Sequence, residues 1–341
     1  MVPMPDFRSD NTSPVSPAII HALNRYLRET HDPYGEDQLT EELRRRVSEL
    51  FMHDVHVVPV ITGTAGNALA LSMVARSFGT IVCHREAHVV VDENGAIEFL
   101  CRGARLLPVA GEHGKITADA IAGLAEEESV HRLRPGAVSV SQSTEFGTVY
   151  ELAELERLSA MARSWRVPLH MDGTRFANAA ATGRSAAAMT WKAGVDVLCF
   201  GATKGGAPGA EMIVFFDRRL AADVARQAKR TGHLLSRSWF LAAQLLAFLD
   251  DGLWLKNAGA ANGSAASLAA VLADAGAEIV HPVQTNIIFA RLDEGQVAQL
   301  AARGIRFYQW DRAPRPLVRF VTSFATRPED IERVGDALSK G

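Results

Sequence analysis

Cysteine is scarce in this chain of 341 residues: its three copies, Cys83, Cys101 and Cys199, form no CxxC pair. Three thiols cannot all be paired within one chain, so we expect no disulfide framework and a reducing compartment. No run of apolar residues approaches the roughly 18 that a membrane-spanning helix requires. Residues 1–6 contain neither an apolar stretch nor a small-residue cleavage site, which argues against a signal peptide. These absences predict a cytoplasmic protein with no membrane partner.

An excess of one charge sign is also missing. The chain has 36 lysine and arginine residues and 39 aspartate and glutamate residues, which gives a formal net charge of −3. Such a balance gives no reason to expect a nucleic-acid partner. The basic run at residues 44–46 lies with Glu41, Glu42 and Glu49 on one predicted helix. This mixture of signs favours a solvated helix face over a binding patch.

What the sequence does contain is an alternation of short apolar runs and helical stretches through its first 250 residues. Leu39, Leu43, Val47 and Leu50 fall on one face of a helix, and Asp37 is its expected N-cap. The apolar runs that we expect to be strands are 55–61, 80–83, 137–140, 167–171, 195–200 and 212–216. This alternation predicts the α/β fold class, with a mostly parallel central sheet buried on both faces.

The pattern changes after an alanine-rich helical stretch at residues 239–276. Strands are expected at 285–292 and 317–324, with a helix near 296–303 between them and an amphipathic helix at the C-terminal end. Chains longer than about 250–300 residues tend to divide into domains. We therefore expect a large domain over residues 1–250 and a small C-terminal α/β domain over residues 251–341.

Polar segments lie at the ends of two of the predicted strands. Residues 62–67 (TGTAGN) open a helix, and the free N–H groups of such a turn suit an anion such as phosphate; simple capping of the helix is the alternative. The segment lacks the lysine of a P-loop, which disfavours nucleotide hydrolysis. Asp172 follows a second strand, where a carboxylate could keep a pyridinium nitrogen protonated or could instead cap the next helix.

Lys204 follows the strand at 195–200 and is surrounded in sequence by small residues. Burying an ammonium group is costly. Lysines that form Schiff bases occupy such positions, because desolvation and neighbouring cations lower the pKa of the amine. A lysine in a surface loop is the alternative. The carboxyl ends of strands in an α/β sheet face one crevice, which favours a common site for Lys204, Asp172 and residues 62–67.

Seven segments stand out in order along nearly the whole chain: 7–12 (FRSDNT), 32–37 (DPYGED), 62–67 (TGTAGN), 86–88 (EAH), 169–175 (LHMDGTR), 202–208 (ATKGGAP) and 317–322 (LVRFVT). In this order they resemble the L-threonine aldolases, most closely the low-specificity bacterial type. The resemblance implies a pyridoxal-phosphate (PLP) enzyme with the PLP-dependent transferase fold, known as fold type I. It also implies an amino-acid substrate and a homotetramer whose tight dimers share active sites.

The resemblance further implies a role for each matching residue. Lys204 would carry PLP as a Schiff base, Asp172 would contact its pyridine nitrogen, Arg175 its phenolic oxygen and also the substrate, and His88 would stack on its ring. Gly63 and Thr64 would bind the phosphate, and Lys229 and Arg237 would reach it from a neighbouring subunit. Ser9 and Arg319 would bind the substrate carboxylate. Tyr34 would line the pocket across a subunit interface.

The implied reaction is cleavage of L-threonine, L-allo-threonine and related β-hydroxy-α-amino acids to glycine and an aldehyde. Its general base is open: the candidates are His88, His131 and a bound water. Residues 141–145 (SQSTE) depart from the family's more usual acidic-Asn-Thr pattern, and Thr203 stands where many relatives have serine. β-Elimination, racemisation or transamination on the same scaffold is the nearest alternative, and a non-catalytic relative is a second.

No metal site is expected. Cys83, His84 and His88 could be imagined as ligands, but their spacing lacks a fourth partner or a matching second pair. For His88 a merely packed imidazole is the alternative to a role in the site, since imidazoles often serve structure.

Overall fold

The computed structural model of the chain describes residues 4–125, 130–311 and 315–339. A seven-stranded sheet lies at the centre of its larger part. Numbered along the chain, the strands are β1 His56–Val60, β2 Thr80–His84, β3 Arg105–Val109, β4 Pro135–Ser141, β5 Leu169–Gly173, β6 Val197–Gly201 and β7 Glu211–Phe215. Their spatial order is β1-β7-β6-β5-β4-β2-β3. Strand β7 pairs antiparallel with both its neighbours, whereas β3, β2, β4, β5 and β6 pair in parallel, which confirms a mostly parallel sheet.

Helices cover both faces of this sheet, and every residue of β4, β5, β6 and β7 is buried. Continuous apolar strands of this kind need cover on two sides, because each face would otherwise expose its side chains. The helices are α1 Pro17–Tyr26, α2 Gln38–Phe51, α3 Gly63–Val74, α4 His88–Val91, α5 Ala96–Leu100, α6 Ala118–Ile121, α7 Leu152–Ser164, α8 Phe176–Ala180, α9 Val224–Arg230, α10 Trp239–Leu249, α11 Leu253–Asp274, α12 Glu294–Ala302 and α13 Pro328–Leu338.

Helix α2 shows why the local predictions succeed. The Asp37 side chain accepts a hydrogen bond from the backbone N–H of Thr40 at 2.8 Å, so the expected N-cap is confirmed. Leu43 and Val47 are fully buried on the inner face. On the outer face Arg45 pairs with Glu42 and Glu49, which confirms a solvated, charge-paired surface.

Two predictions of extent differ from the structure. The alanine-rich stretch forms two helices, α10 and α11, because Asp251 and Gly252 adopt left-handed backbone angles between them. Strand β3 lies outside the predicted runs, since Arg105 and Pro108 interrupt its apolar pattern.

A second sheet contains β8 Glu278–Ile279, β9 Ile287–Arg291, β10 Tyr308–Gln309 and β11 Leu317–Val321 in the order β10-β11-β9-β8, with all pairings antiparallel. Its core also includes Phe7, whose N–H donates to the carbonyl of Arg306 at 2.7 Å and whose carbonyl accepts from Val321 at 2.7 Å. The small α/β unit was thus anticipated, but the N-terminal segment packs on it. The boundary at residue 250 stays a prediction.

Parallel pairing places the carboxyl ends of β4, β5 and β6 at one edge of the large sheet. The chain leaves these ends as a loop at residues 142–146, a turn at 174–175 and a 3-10 turn at Thr203–Gly205. Helix α3 begins after β1, which runs in the same direction as β6 because both are antiparallel to β7. Among the residues described, no helix is both long and apolar enough to cross a membrane.

Candidate active site

Lys204 lies in the 3-10 turn that follows β6. Burial lowers the pKa of its amine, and the positive charge of Arg175 lowers it further, while Asp10, Asp172 and Glu211 act in the opposite sense. Burial raises the pKa of Glu211 to about 7, so the charge of this neighbour varies near neutral pH. An amine with a lowered pKa is more readily available as a nucleophile. This environment fits a Schiff-base lysine better than a surface-loop lysine.

Asp172 is a buried carboxylate held by three hydrogen bonds. Its Oδ1 accepts from the N–H and the hydroxyl of Thr174 at 3.0 and 2.7 Å, and its Oδ2 accepts from the amide of Asn67 at 2.9 Å. Burial alone would raise its pKa, but the charge of His88 and these hydrogen bonds hold the pKa below its ordinary value. The N-cap position of α8 belongs to Arg175. Asp172 therefore stays ionised in the crevice and does not serve as the helix cap.

His88 begins α4 and is fixed from two sides. Its Nδ1 lies 2.8 Å from Glu93 Oε1, and its backbone N–H donates to Glu145 Oε1 at 2.9 Å. The hydrogen bond with Glu93 is the main cause of the raised pKa of His88. Its side chain is 38% exposed whereas that of Glu93 is fully buried, so His88 presents an oriented ring at the crevice and is not simply packed in the core.

Asn67 connects His88 to Asp172 through hydrogen bonds. Its Nδ2 donates to Glu93 Oε1 at 2.8 Å as well as to Asp172. The polar atoms of His88, Glu93 and Asp172 accordingly lie within 4.8 Å of one another. The Asn67 amide, which donates to both Glu93 and Asp172, explains why these two carboxylates lie so close together. That no metal binds the chain stays a prediction.

Arg175 and Asp10 form a buried ion pair beside Lys204. Arg175 Nε and Nη2 donate to the two carboxyl oxygens of Asp10 at 2.7 and 3.0 Å, and Asn286 donates to Asp10 Oδ2 at 3.0 Å. The Ser9 hydroxyl lies 3.5 Å from Asp10 Oδ1. The expected contacts of Arg175 with PLP or substrate stay predictions, and two of its nitrogens already bind Asp10.

Arg319 of β11 lies beside the N-terminal segment. Its Nη2 donates to the carbonyl of Arg8 at 3.4 Å, and its guanidinium lies 5.3 Å from the ring centres of both Tyr308 and Trp310. Its Nε is buried without a hydrogen-bond partner within the described ranges. A buried unpaired guanidinium nitrogen is costly, so this position suits an anionic ligand such as a carboxylate.

Residues 62–67 form the start of α3. The Thr62 hydroxyl oxygen accepts from the N–H of Ala65 at 3.1 Å, so this residue is the N-cap, and Gly63 and Thr64 occupy the first turn. A Cβ on Gly63 would lie 3.3 Å from Thr174 Oγ1. The close approach places the amino end of a twelve-residue helix against the turn that follows Asp172, in a position to attract phosphate.

Tyr34, Lys229 and Arg237 are exposed. Tyr34 has its N–H bonded to the carbonyl of Ser236 at 3.0 Å, and Lys229 Nζ lies 4.7 Å from the centre of the Tyr34 ring. Their expected contribution to a neighbouring subunit's site stays a prediction.

His131 does not reach the crevice. It is exposed four residues before β4, and seven strand residues span roughly 20 Å. His131 therefore lies near the opposite edge of the sheet from Lys204 and Asp172 of the same chain, and its role as a candidate base stays a prediction. The residue that follows the carboxyl end of β4 and contacts His88 is Glu145.

Sequence reasoning missed four polar residues of this site. Asp10 and Asn67 lie within segments that carry the resemblance, but no role was expected for them. Glu145 lies in residues 141–145, which depart from the family pattern. Glu93 lies outside all of these segments. No local pattern marks Glu93, which lies in the bend between α4 and α5, five residues after His88. The contacts that define their roles come from distant parts of the chain.

Comparisons with known proteins give a consistent result. The model of the β-eliminating lyase family matches residues 6–295. The low specificity L-threonine aldolase of Pseudomonas aeruginosa is 41% identical over 331 residues, covering 96% of this chain and 94% of that protein. The corresponding protein of Pseudomonas sp. (strain NCIMB 10558) is 40% identical over 305 residues, covering 89% and 88%.

Comparison with solved structures gives a result consistent with these relatives. The Leishmania major threonine aldolase superposes with a TM-score of 0.93 at 26% identity, covering 98% of this chain and 99% of that one. An aspartate aminotransferase of Thermus thermophilus superposes at 0.73 with 15% identity, covering 100% and 97%. The fold is therefore that of the fold type I PLP enzymes, as the resemblance implied.

Proposed function

This chain belongs to the β-eliminating lyase family, and from that premise we propose that it is an L-threonine aldolase. It cleaves L-threonine, L-allo-threonine and related β-hydroxy-α-amino acids to glycine and an aldehyde, with PLP held at Lys204. The observation that carries the proposal is the convergence of Lys204, Asp172 and His88 at one edge of the sheet, in a chain about 40% identical to enzymes that bear this name.

The residues present fit PLP. The lowered pKa of Lys204 suits a covalent link to the cofactor's aldehyde carbon, and the buried, ionised Asp172 suits a protonated ring nitrogen. The first turn of α3, with Gly63 and Thr64, supplies N–H groups for the phosphate. When bound, PLP supplies an electron sink for the electron pair released at the substrate's Cα.

Arg319 and Ser9 bind and orient the substrate carboxylate. The buried, unpaired Nε of Arg319 provides a donor for one carboxylate oxygen, and the Ser9 hydroxyl lies on the adjoining N-terminal segment. Fixing the carboxylate would orient the remaining bonds at Cα, and so would select which of them breaks when the cofactor is bound. Arg175 supports this arrangement through its ion pair with Asp10.

His88 covers the cofactor ring. Its hydrogen bond with Glu93 fixes the orientation of the imidazole, and its raised pKa keeps a positive charge available near Asp172 up to higher pH. A ring held in this position also limits the access of water to the reacting atoms.

The protein acts in the cytoplasm as a homotetramer without nucleic-acid or membrane partners. The exposed group of Tyr34, Lys229 and Arg237 supports a subunit interface near the site, because a cation and an aromatic ring at an interface can complete a neighbour's phosphate and substrate contacts.

The test is aldehyde and glycine release from L-threonine, L-allo-threonine and L-phenylserine by PLP-loaded protein. We expect glycine and aldehyde in equal amounts, no turnover for Lys204→Ala, and full turnover for Lys192→Ala, which replaces an exposed lysine. Ammonia with a 2-oxo acid would instead indicate β-elimination, and inversion at Cα without cleavage, which converts L-threonine into D-allo-threonine, would indicate racemase-type chemistry. Wild-type rates in the Lys204 variant would refute the assignment of that lysine.

A further inference from the structure

Glu145 lies in the loop that follows β4, between two groups of the proposed site. Its Oε1 accepts from the hydroxyl of Ser141 at 2.7 Å and from the backbone N–H of His88 at 2.9 Å. Ser141 is the direct neighbour of Asp172 across the pairing of β4 with β5. The carboxyl group of Glu145 is therefore fixed between the residue that covers the cofactor ring and the strand that carries the carboxylate for its nitrogen.

Glu145 Oε2 is buried and has no hydrogen-bond partner in the described part of the chain. Buried polar atoms are almost always paired, so an unpaired one at a ligand crevice requires an explanation. A ligand group that donates a hydrogen bond to Oε2 would satisfy it, and the β-hydroxyl of the substrate is such a donor.

The charges around Glu145 favour a group that can take up a proton. Burial raises its pKa and the negative charge of Asp172 raises it further, while the hydrogen bonds from Ser141 and His88 act against the increase. Cys83 and Tyr150 also interact with it, and burial raises the pKa of each, so both are neutral near pH 7. A base works best when its pKa is close to the working pH.

We propose that Glu145 accepts the proton of the substrate's β-hydroxyl in the cleavage direction and returns it in the direction of synthesis. The proposal rests on the aldolase function above. The O–H proton moves to Glu145 Oε2, the Cβ–O bond becomes the carbonyl of the aldehyde, and the Cα–Cβ bond breaks with its electron pair left at Cα. Glu145 then releases its proton to solvent and a proton from solvent adds to Cα, so that Glu145 is restored and glycine and aldehyde together have the composition of the substrate.

The two histidines considered from the sequence are less suitable for this step. His131 lies near the opposite edge of the sheet. The ring Nδ1 of His88 is hydrogen-bonded to Glu93, which orients the ring, and its backbone N–H donates to Glu145. Glu145 combines a fixed Oε1 with an unpaired Oε2, the arrangement that a proton acceptor needs.

The test compares two reactions that differ in their need for a β-hydroxyl base. L-Threonine cleavage needs one, whereas exchange of a glycine α-hydrogen with D2O, followed by NMR, does not. For Glu145→Gln we expect cleavage to fall by about 100-fold or more and glycine exchange to stay within about threefold of wild type. The absorbance of bound PLP should not change. Glu98→Gln is the matched control, because Glu98 also has a buried unpaired Oε2, and it should alter neither rate.

A second measurement does not depend on turnover. Infrared titration of the cofactor-free protein should show carboxyl bands that titrate above the ordinary range, among them those of Glu211 and Asp196, whose pKa values burial also raises. One further band of this kind should be missing in Glu145→Gln and should move to still higher pH in Ser141→Ala. The last shift follows because the Ser141 hydroxyl stabilises the charged form.

Each result of these measurements either supports or overturns the proposed role of Glu145. Cleavage by Glu145→Gln near the wild-type rate would overturn the proposal. A parallel loss of cleavage and glycine exchange would also overturn it, since it would show that Glu145 only holds the shape of the site. A wild-type protein that exchanges glycine hydrogen but forms no aldehyde would refute the aldolase function, and the proposal with it.

Discussion

Replacing Asp10 by asparagine should destabilise the fold strongly. Asp10 is 1% exposed and forms a two-point ion pair with Arg175, whose side chain is 14% exposed. Removing one partner of a buried ion pair typically costs about 3–5 kcal/mol, because the other charge is left uncompensated. Asparagine retains one acceptor oxygen for Arg175, so we expect the lower end of that range, about 3 kcal/mol.

A matched control lies four residues earlier. Asp6 also pairs with an arginine, Arg8, but the two side chains are 21% and 37% exposed. Pairs in contact with solvent contribute at most about 1 kcal/mol, so Asp6→Asn should cost no more than that. The assay is urea unfolding of cofactor-free wild type and both variants at pH 7 and one protein concentration. Equal losses for Asp6→Asn and Asp10→Asn would refute the reasoning.

The pH dependence provides an independent check. Burial alone would raise the pKa of Asp10, but the charges of Arg175 and Lys204 hold it below its ordinary value of 3.8. A carboxyl group with a lowered pKa in the folded state contributes stability that is present above its unfolded pKa and is lost as pH falls through its folded pKa. The difference between wild type and Asp10→Asn should stay constant down to about pH 5 and shrink only below the unfolded value. A difference that shrinks as pH rises would contradict this sign.

Two further substitutions test the other contacts of the site. Glu93→Gln replaces the carboxylate that chiefly raises the pKa of His88 with a neutral amide, which can still accept a hydrogen bond but carries no charge. We expect the pKa of His88 to fall in an NMR titration, and an unchanged or higher value would count against the pairing of His88 with Glu93. Arg319→Lys retains a positive charge but loses the planar pair of N–H donors, so the KM for L-threonine should rise about tenfold or more. PLP binding should be unaltered. An unchanged KM would exclude Arg319 from carboxylate binding.

The sequence predicted the location of the site better than its hydrogen bonding. Asp172 and Lys204 could be placed together because parallel strands bring their carboxyl ends to one edge, a rule that needs only the order of strands. The hydrogen-bonded link from His88 through Glu93 and Asn67 to Asp172 depends on side chains up to 105 residues apart, and no local pattern predicts their contact. His131 was named only through the family resemblance, because it precedes the strand expected at 137–140 and the rule of strand ends does not place it at the crevice.

The fold, like the site, could be predicted only where local sequence patterns determine it. Helix α2 follows from its N-cap and spacing alone. The packing of Phe7 on the second sheet could not be predicted, because a single aromatic residue near the chain start carries no sign of its partner.

The anchoring of the N-terminal segment limits how far the two parts of the protein can move. Phe7 is held in the core of the small unit, and Asp10, three residues later, is held by Arg175 of the large one. Three residues span at most about 11 Å, so the small unit cannot swing far without breaking one of the two attachments. Any opening that admits substrate must therefore be a small rotation about this tether. Ser9, within the tether, and Arg319, bonded to its backbone at Arg8, would then move with the small unit, so that the proposed binding of the substrate carboxylate would be coupled to such a rotation.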